Sequence, residues 1–342
     1  MNISMDTSPR RVLVTGATGF LGRNILNALM QAEGIELIAA CRKPSALPEN
    51  FAGERRVGDL LDPEYRRSVV KNIDVVCHAG TWGSMWGHER QERENFLAPT
   101  TDLMSRAIDA GVQRFLMTST NVVASPPVEG FLNEDSGVKY TKFWPHLDRL
   151  MDVERYMQSH ADGGTTMVAM RLGHFVGAGN VLGLVPALAP RLRTRLVPYI
   201  DGGSHRLSLI ADEDLGSAFR CAVMANGLRG FEVFNICGAS FPTTKEIVEF
   251  ISDEAGVPRP WFSVSARMAY AFGFLMEKLH PFMPGKAPFL TRSIVYLSED
   301  WPSSTERAAR KLGFAAQKDW KIAMREAIVE LRAKGFPWPR LA

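Results

Sequence analysis

The chain contains no run of eighteen apolar residues, and its polar first ten residues lack the apolar core of a signal peptide. Neither a membrane-crossing helix nor a cleaved leader is therefore expected. Cysteine is scarce. Cys41, Cys77, Cys221 and Cys237 lie far apart with no CxxC pair, which argues against a disulfide framework and a structural metal and favours a reducing cytoplasm. An excess of charge of one sign is missing too. Forty basic residues face thirty-seven acidic ones without blocks, so no nucleic-acid footprint is expected. With 46% apolar residues over 342 positions, the chain can bury the core of one large α/β domain or of two lobes.

One stretch stands out, Arg11 to Gly22, RVLVTGATGFLG. Val12-Leu13-Val14 is uncharged and aliphatic, as a strand buried on both faces of a parallel sheet requires. Gly16, Gly19 and Gly22 then recur every third residue, and Leu21, Ile25, Leu26 and Leu29 follow at helical spacing. Glycines there allow a sharp turn, close approach of backbone to a pyrophosphate, and tight packing of helix on strand. An anion would meet free N–H groups at the helix start. The competing reading is a purely structural turn, since the spacing is GxxGxxG and not GxGxxG.

The string TGATGFLG resembles the extended short-chain dehydrogenase/reductase family, which includes nucleotide-sugar epimerases, dehydratases and 3β-hydroxysteroid dehydrogenases. The resemblance implies a doubly wound α/β Rossmann sheet with a smaller C-terminal lobe. Its implied boundaries are a flexible tail over 1–10, a cofactor domain over 11–177 completed by parts of 205–240, and a mainly substrate-binding lobe over 178–342. Cofactor contacts are implied at Gly16, Thr18, Gly19, Phe20 and Leu21. The second strand, Ile35 to Ala40, runs into Arg42-Lys43, where a carboxylate would suit NAD and a basic pair suits the 2′-phosphate of NADP. NADP is thus the expected cofactor, with NAD as the alternative if the pair is merely solvated.

Further along, Asp59 and Leu60 match the segment beside the adenine, while Asp62-Pro63 reads as a helix start. The run Asp74 to Gly80 resembles D-V-V-x-H-x-A, which puts Ala79, Gly80 and Thr81 along the cofactor and gives His78 a structural role. Trp82 and Trp86 in TWGSMWGHERQ are either packed core or an apolar wall for substrate. Asn95 resembles the asparagine opening the next helix, expected over Phe96 to Ala110. In Thr118-Ser119-Thr120, Thr118 falls along the cofactor and Thr120 on the hydroxyl that holds the substrate oxygen.

The resemblance then breaks. The family carries YxxxKxxxE, in which tyrosine moves a proton and lysine lowers its pKa. Glu154 fits the trailing glutamate, and counting back puts Leu150 at the lysine and His146 at the tyrosine. Tyr140 is the rescue candidate, with Lys142 reaching in from the same loop. Two readings stay open: the NAD(P)-dependent oxidoreductase or epimerase of a secondary alcohol or ketone that the resemblance implies, with His146 as its acid/base since histidine titrates near neutrality unaided, or a non-catalytic sensor or partner subunit that binds NADP(H).

Leu172-Gly173-His174 in RLGHFVG resembles the turn that touches the carboxamide, with His174 facing substrate or simply capping the surface. Arg206 lies where sugar-nucleotide members grip a phosphate. The apolar run Arg267 to Leu279, RMAYAFGFLMEKL, with Ala308 to Phe314 beyond it, is closest to the 3β-hydroxysteroid dehydrogenase and β-ketoacid reductase branch. That branch implies an apolar small-molecule substrate, with peripheral contact to a bilayer as an option and no membrane span, while the wider family leaves a nucleotide sugar as the alternative. A homodimer paired through the helices over 95–110 and 146–158 is also implied.

Overall fold

A computed structural model describes residues 9–124, 130–282 and 287–335. Seven strands form one parallel sheet: β1 (Arg10–Thr15), β2 (Ile35–Cys41), β3 (Glu54–Val57), β4 (Val75–His78), β5 (Arg114–Thr120), β6 (Thr166–Leu172) and, after three strands of smaller sheets, β10 (Phe231–Ile236). Their spatial order is β10-β6-β5-β4-β1-β2-β3. The order in which strands are added reverses between β1 and β4, and at such a switch point the carboxyl ends of the strands leave a crevice for a ligand.

Alternation along β1 feeds both faces of the sheet. Leu13 packs with Leu103, Leu147 and Val153, whereas Val12 and Val14 pack with Ile25, Leu26, Leu215 and Phe219. Accordingly α2 (Pro63–Val69), α4 (Ala98–Asp109) and α5 (Pro145–Ser159) cover one face, and α1 (Phe20–Leu29) and α7 (Asp212–Met224) cover the other. Asp62 caps α2 by accepting from the Glu64 N–H at 2.9 Å, and Pro63 fills its first turn, as the sequence suggests.

The expected helix over Phe96 to Ala110 begins earlier and less regularly. The short helix α3 (Glu89–Glu92) runs through a single π-type turn, Arg93–Leu97, into α4. Asn95 therefore lies inside a widened turn and does not open a helix. The expected tail over 1–10 also needs correcting at its end, because Arg10 already belongs to β1 and its N–H is bound to the Gly34 carbonyl. Residues 1–8 are outside the described residues.

The remaining elements lie outside the seven-stranded sheet. They are two two-stranded sheets, β7 (His174–Val176) with β9 (Leu209–Ala211) and β8 (Tyr199–Ile200) with β11 (Ser263–Val264). Helices α6 (Leu184–Leu192), α8 (Thr244–Ala255), α9 (Ala266–Leu279), α10 (Arg292–Leu297), α11 (Glu306–Leu312) and α12 (Trp320–Ala333) complete the set. Thr243 and Glu246 form a reciprocal capping box on α8, satisfying two otherwise orphan N–H groups.

One late segment seals the end of β5. Trp301 is fully buried, Asn121 Nδ2 donates to Ser303 Oγ at 2.9 Å, and Ser208 Oγ donates to the Trp301 carbonyl at 2.7 Å. Among the described residues, no helix is long and apolar enough to cross a membrane.

Candidate active site

The turn from β1 into α1 has the shape of an anion cradle. Gly16 takes a left-handed φ of +63°, and a Cβ there would lie 2.6 Å from the Gly80 nitrogen. At Gly22 a Cβ would lie 2.2 Å from the Gly16 carbonyl oxygen, so neither position tolerates a side chain. Gly19 caps α1 without a side-chain hydrogen bond, and no acidic residue stands in the first turn. Its N–H groups and the positive end of the helix dipole are thus left for a ligand. Thr18 is half-buried at the mouth, Leu21 points into the core, and Phe20 stacks on Phe175 at 6.2 Å.

Leu60, Ala79 and Gly80 close this cradle from the side: the Leu60 side chain packs where a Gly80 Cβ would point, and Ala79 backs Gly16. Beyond them Asp59 accepts from the Leu61 N–H at 3.0 Å and has Arg42 at 3.9 Å. Arg42 is 77% exposed even with this loose pairing, and Lys43 is exposed as well, so both bases stand accessible at the end of β2. Thr81 is exposed and donates to the Trp82 carbonyl. Gly173, bonded through its N–H to Ile236, packs on the Ser208 carbonyl so closely that a Cβ would lie 2.6 Å from it. Leu172, fully buried, is paired with Thr120 across β6 and β5. A cradle with no room for a Cβ at Gly16 or Gly22 and an uncapped helix start fit a dinucleotide.

The three hydroxyls at the end of β5 have separate fates. Thr118 donates to the His78 carbonyl at 2.9 Å, and Ser119 donates to Glu154 Oε1 at 2.6 Å. Thr120 is half-buried and its hydroxyl has no partner among the described residues. Only the third is free to hold a substrate oxygen. His78 is structural, as expected: fully enclosed, with Nδ1 at 2.7 Å from Thr15 Oγ1, its imidazole is pushed down to about 4 by burial.

The helix that should carry tyrosine and lysine at the motif positions has His146 and Leu150 there instead. Pro145 starts α5, His146 follows, and Leu150, at the lysine position, is buried among apolar neighbours. Tyr140 does not rescue the motif. Its hydroxyl donates to Asp152 at 2.7 Å, and burial followed by that carboxylate pushes it up to about 12, away from proton transfer near neutrality. Lys142 is exposed, in a left-handed conformation, with its N–H bound to Asp148. It does not reach inward.

His146 instead meets Glu92, a residue the sequence reading passed over. Glu92 is fully buried, with Oε1 accepting the Ser84 N–H at 2.7 Å and Oε2 3.0 Å from His146 Nδ1. The imidazole lies tilted against Phe96 at 5.1 Å and over Gly83, where a Cβ would be 2.6 Å from its Cε1. Glu92 looks solvated between Glu89, Arg90, Arg93 and Glu94. The signal that would have found it is its spacing to the buried Phe96 and Leu103, four and eleven residues on, which puts it on the apolar side of the helix.

The loop over 81–88 forms a wall. Trp86 sets its edge to His88 at 5.3 Å and to His280 at 4.7 Å, Trp82 approaches His88 at 6.1 Å, and the Ser84 carbonyl accepts from Trp144 Nε1 at 2.8 Å. His174 keeps both ring nitrogens buried without a partner among the described residues, and burial pushes its imidazole down to about 4. No ring contact or hydrogen bond joins it to His146. Arg206 is already engaged: its fork meets both oxygens of Asp300 at 3.1 and 2.8 Å. Among the described residues no group of three or more His, Cys, Asp or Glu side chains could hold a metal.

Residues 12–237 match the model of the NAD dependent epimerase/dehydratase family. The chain is 28% identical over 337 residues to a 2-alkyl-3-oxoalkanoate reductase of Stenotrophomonas maltophilia, covering 94% of this chain and 98% of that protein. It is 26% identical over 335 residues to sterol demethylase protein B of Methylococcus capsulatus, covering 95% and 99%. Among solved structures, UDP-glucuronic acid 4-epimerase from Bacillus cereus, crystallised with UDP-glucuronic acid and NAD, superposes with a TM-score of 0.73 at 16% identity, covering 95% of this chain and 99% of that one. At that identity the superposition speaks for the fold.

Proposed function

Because the chain belongs to the NAD dependent epimerase/dehydratase family, we propose that it is an NADP(H)-dependent oxidoreductase acting on a ketone or secondary alcohol of an apolar substrate, with Thr120 and His146 as its catalytic residues. The observation that carries this reading is the free Thr120 hydroxyl in a run whose other two hydroxyls are committed. When bound, the dinucleotide supplies or accepts the hydride at the substrate carbon. Thr120 holds the substrate oxygen by a hydrogen bond, and in reduction His146 Nε2 gives that oxygen a proton, leaving a neutral imidazole that solvent recharges. In oxidation the same nitrogen takes the proton.

Three features support the substrate class. The two curated relatives named above act, by their names, on an oxoalkanoate and in sterol demethylation. The arginine that would grip a sugar nucleotide's phosphate is held by Asp300. On α9, Met268, Phe272, Leu275 and Leu279 are exposed at helical spacing beside an 88% exposed Phe282, a face suited to an apolar ligand or to peripheral contact with a bilayer. The reading includes a homodimer paired through α4 and α5, and NAD in place of NADP if Arg42 and Lys43 stay in solvent.

The test is a hydride-transfer panel of ketones and alcohols of increasing chain length. His146→Ala should lower the rate by about 10²- to 10⁴-fold, the range for losing an acid/base group, with dinucleotide affinity nearly unchanged. Thr120→Val should behave alike. A buried leucine at the lysine position favours the second reading, a sensor or partner subunit that binds NADP(H) without turnover. Tight NADPH binding with no reaction across the panel would select it.

A further inference from the structure

We infer that Glu92 is the positioning residue for His146, fixing which imidazole nitrogen carries the exchangeable proton; this rests on the reading of His146 as the acid/base. An ionised carboxylate only accepts hydrogen bonds. With Oε1 taken by the Ser84 N–H and Oε2 at 3.0 Å from Nδ1, the imidazole must present Nδ1–H to Glu92. The neutral ring then has its lone pair on Nε2, and the charged ring has its transferable proton there. The bond made by one ring nitrogen sets the state of the other. The Phe96 ring, 5.1 Å away, and the close approach of Gly83 limit the tilt of the imidazole.

This arrangement supplies the charged neighbour that the missing lysine would have been, in a different chemistry. It places a fixed charge beside the proton-carrying group and locks that group's orientation. Here the charge is negative, which suits a group that becomes cationic, whereas a tyrosine that becomes anionic needs a positive neighbour. Arg149 is the nearby basic side chain on α5, but it pairs with Glu89 and Asp152. Leu150 can therefore be apolar without leaving the acid/base unattended.

A carboxamide at position 92 separates positioning from mere packing. The Ser84 N–H demands an oxygen, so the carboxamide of Glu92→Gln must turn its NH₂ group toward Nδ1. His146 would then switch to the opposite tautomer, with the proton on Nε2 and the lone pair on Nδ1. Long-range proton–nitrogen correlation spectra of the full chain labelled with ¹⁵N-histidine read this directly, with His146→Gln identifying the signal. At a pH where the ring is neutral, the wild type should show the proton on Nδ1 and Glu92→Gln should show it on Nε2.

A wild-type ring protonated on Nε2 overturns the inference without any variant at position 92. A tautomer unchanged in a folded Glu92→Gln overturns it too. In the reductase assay, Glu92→Gln should lower kcat by about 10²- to 10⁴-fold with KM nearly constant, and Glu92→Asp should recover part of the loss. If the tautomer switches while His146→Ala turns over at the wild-type rate, the acid/base reading of His146 fails and Glu92's hold on the ring stands.

Discussion

Glu154 and Arg171 form a buried ion pair at 2.6 Å, their side chains only 7% and 5% exposed, which ties α5 to β6. The Arg171 Nε makes a second contact at 3.1 Å, and the Ser119 hydroxyl adds a third to the same carboxylate. The helix that presents His146 is thereby anchored to the strand that ends at Leu172 and to the strand that ends at Thr120. Removing one partner leaves the other charge without compensation. Glu154→Ala is expected to cost about 3–5 kcal/mol of stability, read as a shift in the urea midpoint with an unchanged slope. A loss below about 1 kcal/mol would mean that water replaces the carboxylate.

Gly83 stands where the ring of His146 needs room. An alanine Cβ would lie 2.6 Å from Cε1 and 2.8 Å from both ring nitrogens, yet the backbone there is not left-handed and the position is exposed. Gly83→Ala should displace the imidazole and lower kcat at least about tenfold, while stability changes by no more than about 1 kcal/mol. Unaltered kinetics would show that the loop moves aside.

At acid pH, His78 should weaken the fold. Burial pushes its pKa from 6.5 down to about 4, so the unfolded chain binds a proton in a range where the native chain does not. Stability is then full above pH ~6.5 and falls as the pH drops toward ~4, by roughly 3 kcal/mol for a shift of this size. His174, shifted the same way, adds a second increment in the same window. Urea titrations between pH 4 and 7 should show the slope, and His78→Asn should roughly halve it.

Cofactor choice should follow the end of β2. Exposed Arg42 and Lys43 suit a 2′-phosphate, so NADPH is expected to bind at least roughly tenfold more tightly than NADH, or ~1.4 kcal/mol. Changing both residues to alanine should abolish the difference while leaving NADH affinity nearly unaltered. Fluorescence titration measures each. Equal affinities in the wild type would place the pair in solvent.

Local chemistry was legible in the sequence, and long-range pairing was not. The β1 turn and α1 are written in consecutive residues, as periodic apolar positions and glycines that leave no space for a Cβ. The loss of tyrosine and lysine was legible because Glu154 keeps the count along one helix. Glu92, by contrast, meets a histidine 54 residues away, and nothing in its own charged neighbourhood marks it as buried. Arg206 likewise looked free, because its partner Asp300 is 94 residues on. The widened turn at Arg93–Leu97 has no strong residue signature, so the helix start was placed too late.

The seal on β5 made by Trp301 and Ser303 sets an order of events during vectorial synthesis. The glycine cradle is encoded within the first 22 residues, and the strands flanking it, β2 and β4, are complete by His78. Asn121, the residue after Thr120, stays without its Ser303 partner until the ribosome has added 182 further positions. A nascent chain can thus shape its nucleotide pocket early, domain elements folding in the order they emerge, while the rim beside the Thr120 hydroxyl waits for the segment that carries Trp301 and Ser303.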